Sequence, residues 1–220
     1  MDISIGSCQY ARGAVMTEDI IDLSPVQLDV LREIGNVGAG NSATALSQLI
    51  NRRIDMNVPK VSVVPLDEVP DLVGGPETIV VGVFLRVYGK APSNILFLMP
   101  KDSAFYLVDA LMGKESGETT HLDMMAESAL MEIGNILAGA YLNALYSFTN
   151  LSLIPSIPAL AMDMAGAILN VVLVQLGQMG DHAMVIETEF LAEDDELRGH
   201  FFLVPDPGSM EMILSAVGVG

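Results

Sequence analysis

The strongest constraint on this chain is that it contains one unit twice. Asp29-Val-Leu-Arg-Glu33-Ile-Gly-Asn36 and Ser128-Ala-Leu-Met-Glu132-Ile-Gly-Asn135 align without a gap, with 132 − 33 and 135 − 36 both equal to 99. Each block runs to a proline in the same register, Pro59 and Pro158, and Gly40/Gly139, Ala45/Ala144 and Leu46/Leu145 keep that offset. Later Pro100 aligns with Pro205, an offset of 105, so the second unit gains 105 − 99 = 6 residues between Pro158 and about Phe190. Two copies are too few for a solenoid, which needs three or more stacked repeats. Halves of a 220-residue chain are also too small to expect separate cores. The expectation is one pseudo-twofold domain over residues 23–218, with units at about 23–113 and 123–218, and Met1–Asp22 as a flexible extension.

Each unit reads as a long helix, a short element, strands and a closing helix. Ser24 is an N-cap, Pro25 fits the first turn and Gln27 completes a capping box. Leu31, Ile34, Gly35, Gly38, Ser42, Ala45, Leu46 and Leu49 then form one stripe at helical period. Leu130, Ile133, Gly134, Leu137, Ala138, Tyr141, Leu145 and Phe148 repeat it. Strands are expected at Val58–Pro65, Ile79–Tyr88 and Asn94–Met99, then at Ala183–Leu191 and Leu197–Val204. Lys101–Gly113 and Gly208–Val217 read as closing helices, Lys114–Asp123 as the linker, and Leu66–Thr78 as loop or a short helix. Asp163–Gln178 reads as an amphipathic helix. The fold class is α+β: two repeats sharing an antiparallel sheet core, with the two long helices on the surface.

Composition narrows the partners. Ten Lys+Arg against 28 Asp+Glu give a net charge of −18, which excludes a nucleic-acid binder and disfavours an anionic membrane surface. A partner with a basic patch fits better. The chain is 51% hydrophobic and has no Trp, so aliphatic residues and its 14 Met fill the core. A single cysteine, Cys8, rules out an intrachain disulfide and a Cys-rich zinc site. Leu151–Gly177 is apolar but interrupted by Pro155, Pro158, Asp163, Asn170 and Gln175, so it reads as buried, not as a membrane span. With no signal peptide visible, a cytoplasmic protein is expected.

Asp29, Glu33 and Asn36, and likewise Ser128, Glu132 and Asn135, fall on the face opposite the apolar stripe. One such acid–amide pair is most simply a solvated helical face. The repetition gives it weight, since the pair is kept while Arg32 becomes Met131, Asn41 becomes Ala140 and Asp29 becomes Ser128. No nucleophile–base pair, P-loop or dinucleotide fingerprint is present, and His121, His182 and His200 lack metal-ligand spacing. Gly35-Asn-Val-Gly38-Ala-Gly40 lies inside the helical stripe and is ascribed to helix packing. An amide can orient a water and a carboxylate can pair with a partner's lysine, which would complete an active site belonging to another protein.

At these residues the chain resembles the CheC family of chemotaxis proteins, within the wider CheC, CheX and FliY phosphatase group. The family pattern is Asp or Ser, three residues, Glu, two residues, Asn, 22 residues, Pro. It occurs twice, as Asp29, Glu33, Asn36, Pro59 and as Ser128, Glu132, Asn135, Pro158. FliY proteins carry a further flagellar-switch domain for which 220 residues leave no room, so the resemblance is nearer to CheC. It implies dephosphorylation of the aspartyl phosphate of the response regulator CheY. Asn36 and Asn135 would orient the attacking water and Glu33 and Glu132 would pair with the regulator's lysine. The regulator would bring its own Mg²⁺, so the chain needs no cofactor. The resemblance further implies binding of the receptor deamidase CheD through a second-unit helix, matching Asp163 to Leu169 here, with Asp163 and Gly166 as contact residues. A core helix is the other reading of that segment, and a non-catalytic adaptor holding CheD or a flagellar component is the alternative function.

Overall fold

The structure, a computed structural model, describes residues 23–58, 60–176, 182–192 and 195–220. The N-terminal extension and Pro59 lie outside the described residues. Helix α1 (Pro25–Ile50) starts at the expected capping box. Its Gln27 amide donates to Ser24 Oγ at 3.4 Å, and the Ser24 amide donates to Gln27 Oε1 at 2.8 Å. Helix α4 (Met124–Thr149) is capped by the Asp123 carboxylate, which accepts from the Ala126 amide at 2.8 Å. Both helices are 26 residues long and end on a left-handed asparagine, Asn51 (φ 54°) and Asn150 (φ 55°). Asparagine tolerates that conformation better than most residues, so both stops are written locally. Caps, ends and glutamates all repeat at 99 residues.

The remaining elements are β1 (Ile54–Asn57), β2 (Val61–Pro65), a 3-10 turn at Leu66–Glu68, α2 (Val69–Leu72), β3 (Ile79–Gly89), β4 (Ser93–Pro100) and α3 (Lys101–Met112). After α4 come β5 (Leu153–Pro155), β6 (Ala159–Met164), α5 (Ala165–Leu176), β7 (His182–Ala192), β8 (Asp195–Pro205) and α6 (Ser209–Ala216). The strands form one sheet of order β1-β7-β8-β4-β3-β5, with β2 also on β7 and β6 also on β3, every pairing antiparallel. The two halves exchange arms. Strands β1 and β2 of the first half extend the hairpin of the second, and β5 and β6 extend the hairpin of the first. Neither half completes its own sheet.

The hairpins meet along β4 and β8, where Phe97 pairs with Phe201. Side-chain faces correct the proline-based register. Val81, Val83, Phe97 and Met99, with Met184, Ile186, Phe201 and Leu203, face the core under α1 and α4. Val80, Leu98, Val185 and Phe202 face the other side. An offset of 105 would match Phe97 with Phe202 on opposite faces, because strand side chains alternate. Gly134 of α4 rests on Val83 and its counterpart Gly35 on Ile186, an offset of 103. Val83 pairs with Phe97 and Ile186 with Phe201, so β4 and β8 are related by 104. Phe97 and Phe201 are therefore equivalents facing each other across the pseudo-twofold axis. The second half gains 103 − 99 = 4 residues before β7 and one within its hairpin, five in all.

Small residues let the helices sit close. A methyl group at Gly38 would lie 2.6 Å from the Tyr141 ring, which itself stacks on Phe201 with centroids 4.1 Å apart. The opposite sheet face is covered by α2 and α5, through Val69, Ala165, Ile168 and Leu169, so helices flank both faces. Four further expectations need correction. Asp163 and Met164 belong to β6, paired with Val80 and Ile79, and the helix begins only at Ala165. The short strands β1, β5 and β6 are additional to the expected strands. Leu49 and Phe148, assigned to the buried stripes, are 39% and 40% exposed. Ala45 is only half-buried.

Arg86 of β3 locks the halves together. Its guanidinium forks onto Asp206, Nη1 to Oδ1 at 2.6 Å and Nη2 to Oδ2. Its amide donates to Ser156 Oγ at 3.0 Å. The bidentate pair holds the Arg86 pKa above its ordinary value. Phe201→Ala is expected to lower the unfolding free energy by about 3–5 kcal/mol in a urea titration, the usual range for an aromatic removed from a packed core. Gly134→Ala should also destabilise, despite its better helix propensity, because the new methyl falls 2.5 Å from Val83 Cγ1.

Candidate functional site

At 100° per residue, Val26, Asp29, Glu33, Asn36 and Gly40 fall within a sector of about 80° on α1. Met125, Ser128, Glu132, Asn135 and Gly139 occupy the same sector of α4. The far side of each helix is buried through Leu31, Ile34 and Gly35, and through Leu130, Ile133 and Gly134. Burial of that stripe therefore forces Glu33, Asn36, Glu132 and Asn135 outward, and all four are exposed. None of the four side chains makes a hydrogen bond or ion pair to the described residues, so each is available to a partner.

The residues one turn earlier are tied down within their own helices. Asp29 Oδ1 accepts from Arg32 Nη2 at 2.9 Å, an exposed pair of small energetic weight. Ser128 Oγ donates to the Met124 carbonyl at 2.8 Å. The first face thus carries an ion pair where the second carries a hydroxyl and Met131. The second face gains a negative charge elsewhere, at the Asp123 cap. The Ala126 amide bond is the main cause holding that carboxyl below the usual carboxylate range. Pro158 sits half-buried in the connection between β5 and β6. Asp163 is exposed at the end of β6, its Oδ1 accepting from the Met164 amide at 2.7 Å. Gly166 is half-buried, and its amide donates to the Pro76 carbonyl at 2.9 Å. Asp163 and Gly166 are thus separate from the Glu/Asn faces, on the sheet side covered by α5.

Two repeated features of the faces lie outside the Glu/Asn motif. Val26 and Met125 are 60% and 65% exposed and stand 99 residues apart at the head of each sector. Their identical register is the signal that could have revealed them. The other feature is Gly40 and Gly139. Helix packing explains Gly35 and Gly38, but a methyl at Gly40 or Gly139 would meet nothing within 4 Å. A glycine in a helix interior costs about 1 kcal/mol relative to alanine, and nothing in the described residues offsets it. Among the described residues there is no cluster of three or more His, Cys, Asp or Glu able to hold a metal. Nor is any helix among the described residues long and apolar enough to cross a membrane.

The CheC-like family model matches residues 26–63 and 125–161, two segments that begin 99 residues apart and contain the two faces. Over 196 residues the chain is 42% identical to the CheY-P phosphatase CheC of Bacillus subtilis, covering 87% of this chain and 94% of that protein. Over 123 residues it is 33% identical to the flagellar motor switch phosphatase FliY of the same organism, covering 56% of this chain but 32% of FliY. The crystal structure of Thermotoga maritima FliY superposes with a TM-score of 0.71 at 20% identity, over 90% of this chain and 98% of that one, and so shares the fold. The chain belongs to the CheC-like family.

Because the four side chains make no bonds among the described residues, alanine at Glu33, Asn36, Glu132 or Asn135 should change unfolding free energy by no more than about 0.5 kcal/mol. Asp123 should behave differently. Its folded-state pKa is lowered, so its stabilisation is present above the ordinary value of 3.8 and is lost as pH falls through the folded value. The gap in melting temperature between the wild type and Asp123→Ala is expected to be constant from neutral pH down to about pH 5 and to narrow below it.

Proposed function

We propose that this protein hydrolyses the aspartyl phosphate of a CheY-type response regulator at two equivalent sites, Glu33/Asn36 and Glu132/Asn135. The observation that carries the reading is the duplicated outward Glu/Asn pair, without side-chain partners among the described residues and held on long helices. The name of the Bacillus subtilis relative supports the substrate.

The acyl phosphate is the labile bond, and the regulator brings it. Water attacks phosphorus, the new P–O bond forms, and the bond to the aspartyl oxygen breaks, giving inorganic phosphate and a free carboxylate. A carboxamide suits the task of positioning that water. Its oxygen accepts a hydrogen bond from the water while its NH₂ can donate to a phosphoryl oxygen. Orientation of this kind supplies rate without covalent chemistry. Glu33 and Glu132, one turn away, pair with the regulator's lysine and fix the docking angle. The Mg²⁺ that neutralises the developing charge belongs to the regulator, and this chain contributes no metal ligand. The net charge of −18 speeds encounter with a lysine-bearing face.

A CheD-type deamidase would bind elsewhere. On the opposite sheet face an apolar groove of about 280 Å³ runs between β6 and α5, lined by Gly82, Phe84, Leu160, Asp163, Ile168 and Val171. Asp163 is its charged edge, which favours a partner presenting a cation there.

In a phosphate-release assay with the phosphorylated regulator, Asn36→Ala/Asn135→Ala should remove the acceleration while leaving the melting temperature unchanged. Full acceleration by this double variant would refute the mechanism. Asp163→Lys should lose CheD in a pull-down and keep phosphate release. Binding that survives the charge reversal would remove the groove from the proposal.

A further inference from the structure

We propose that Gly40 and Gly139 are clearance positions of the two sites: each leaves the helix surface bare so that the regulator segment flanking its phosphate can lie against the helix backbone. This rests on the phosphatase reading and adds a determinant of which surfaces can dock.

The inference starts from reach. An asparagine amide is only two carbons from the helix backbone, so a water held by Asn36 or Asn135 is close to the helix surface. Whatever surrounds the phosphate must then touch the helix beside the asparagine. Glu33 and Glu132 occupy one side of that spot. On the other side, four residues or about 6 Å along the axis, stands the glycine. Gly40 lies in angle between Asn36 and Glu33, and Gly139 lies the same way between Asn135 and Glu132.

Internal explanations for the two glycines fail. Neither has a positive φ. Neither approaches another element, unlike Gly35, Gly38 and Gly134, whose added methyls would contact Ile186, Tyr141 and Val83. Both sit well inside 26-residue helices, away from the caps. A second, independent mark of a partner is the repeated exposed apolar residue at the head of each sector, Val26 and Met125. Each face therefore offers an apolar contact at one end, polar chemistry in the middle and, just beyond, a glycine with open space above it, Gly40 exposed and Gly139 half-buried. A side chain at the glycine would hold the partner off by its own thickness. A displacement of about 1 Å is enough to misplace an attacking water.

The test uses the full chain, a regulator phosphorylated by a small-molecule phosphodonor, and the same regulator in its Mg²⁺–beryllofluoride form for binding. Gly40→Leu/Gly139→Leu should lower kcat/KM for phosphate release by about tenfold or more and weaken beryllofluoride-regulator binding in parallel. Gly40→Ala/Gly139→Ala should fall between it and wild type while raising the melting temperature, so lost activity cannot come from lost fold. Gln48→Leu, an exposed position of α1 off the sector, should leave both readouts unchanged. Wild-type binding and turnover in the leucine double variant would overturn the inference. If the wild type binds the regulator without accelerating release, the phosphatase reading fails, and weaker binding by the leucine variant still supports clearance. If the wild type neither binds nor accelerates, both fall.

Discussion

Everything else in this fold depends on the antiparallel seam between β4 and β8. Phe97 and Phe201 face each other there across the pseudo-twofold axis, and Tyr141 of α4 stacks on Phe201. The seam joins the two hairpins into one sheet and so gives the exchanged arms somewhere to go. Strands β1 and β2 follow α1 onto β7, while β5 and β6 follow α4 onto β3. Each long helix is thus anchored to the half it does not belong to. The fork from Arg86 to Asp206, partly screened from solvent, ties the same two halves at the periphery.

That exchange explains why the faces can be polar and exposed without loss of order. Each helix already buries a full apolar stripe against the sheet and its neighbour, so the outward residues have no structural task. The duplication places the same acid, amide and glycine on both helices, but the surroundings have drifted. One face holds the Asp29–Arg32 ion pair, the other the Asp123 cap and Met131. The helical geometry is shared by the two faces and their electrostatics differ.

Much of this was legible in the sequence because it is local. Ser24, Pro25 and Gln27 state where α1 begins, and the 99-residue offset carries that reading to α4. The outward position of Glu33 and Asn36 follows from the stripe opposite them. What was not legible is long-range. Nothing in Ile54–Asn57 says that its partner is the far end of β7, because strand pairing is set by the whole sheet. The prolines at 100 and 205 suggested a register one residue out, an error that alternation turns into the wrong face. From sequence Asp163 reads as helical, because an edge strand exposed on most of its length lacks the alternation that marks a half-buried one. Gly40 falls in with Gly35 and Gly38 on sequence, which does not distinguish a glycine that touches a neighbour from one with open space around it.

The most direct measurement is phosphate release from the phosphorylated regulator with Asn36→Ala and Asn135→Ala assayed separately beside wild type. Two independent sites predict that each single variant keeps part of the acceleration and that the two losses together account for the whole. Complete loss in both single variants would contradict two self-sufficient sites, and no loss in either would contradict the role of the asparagines.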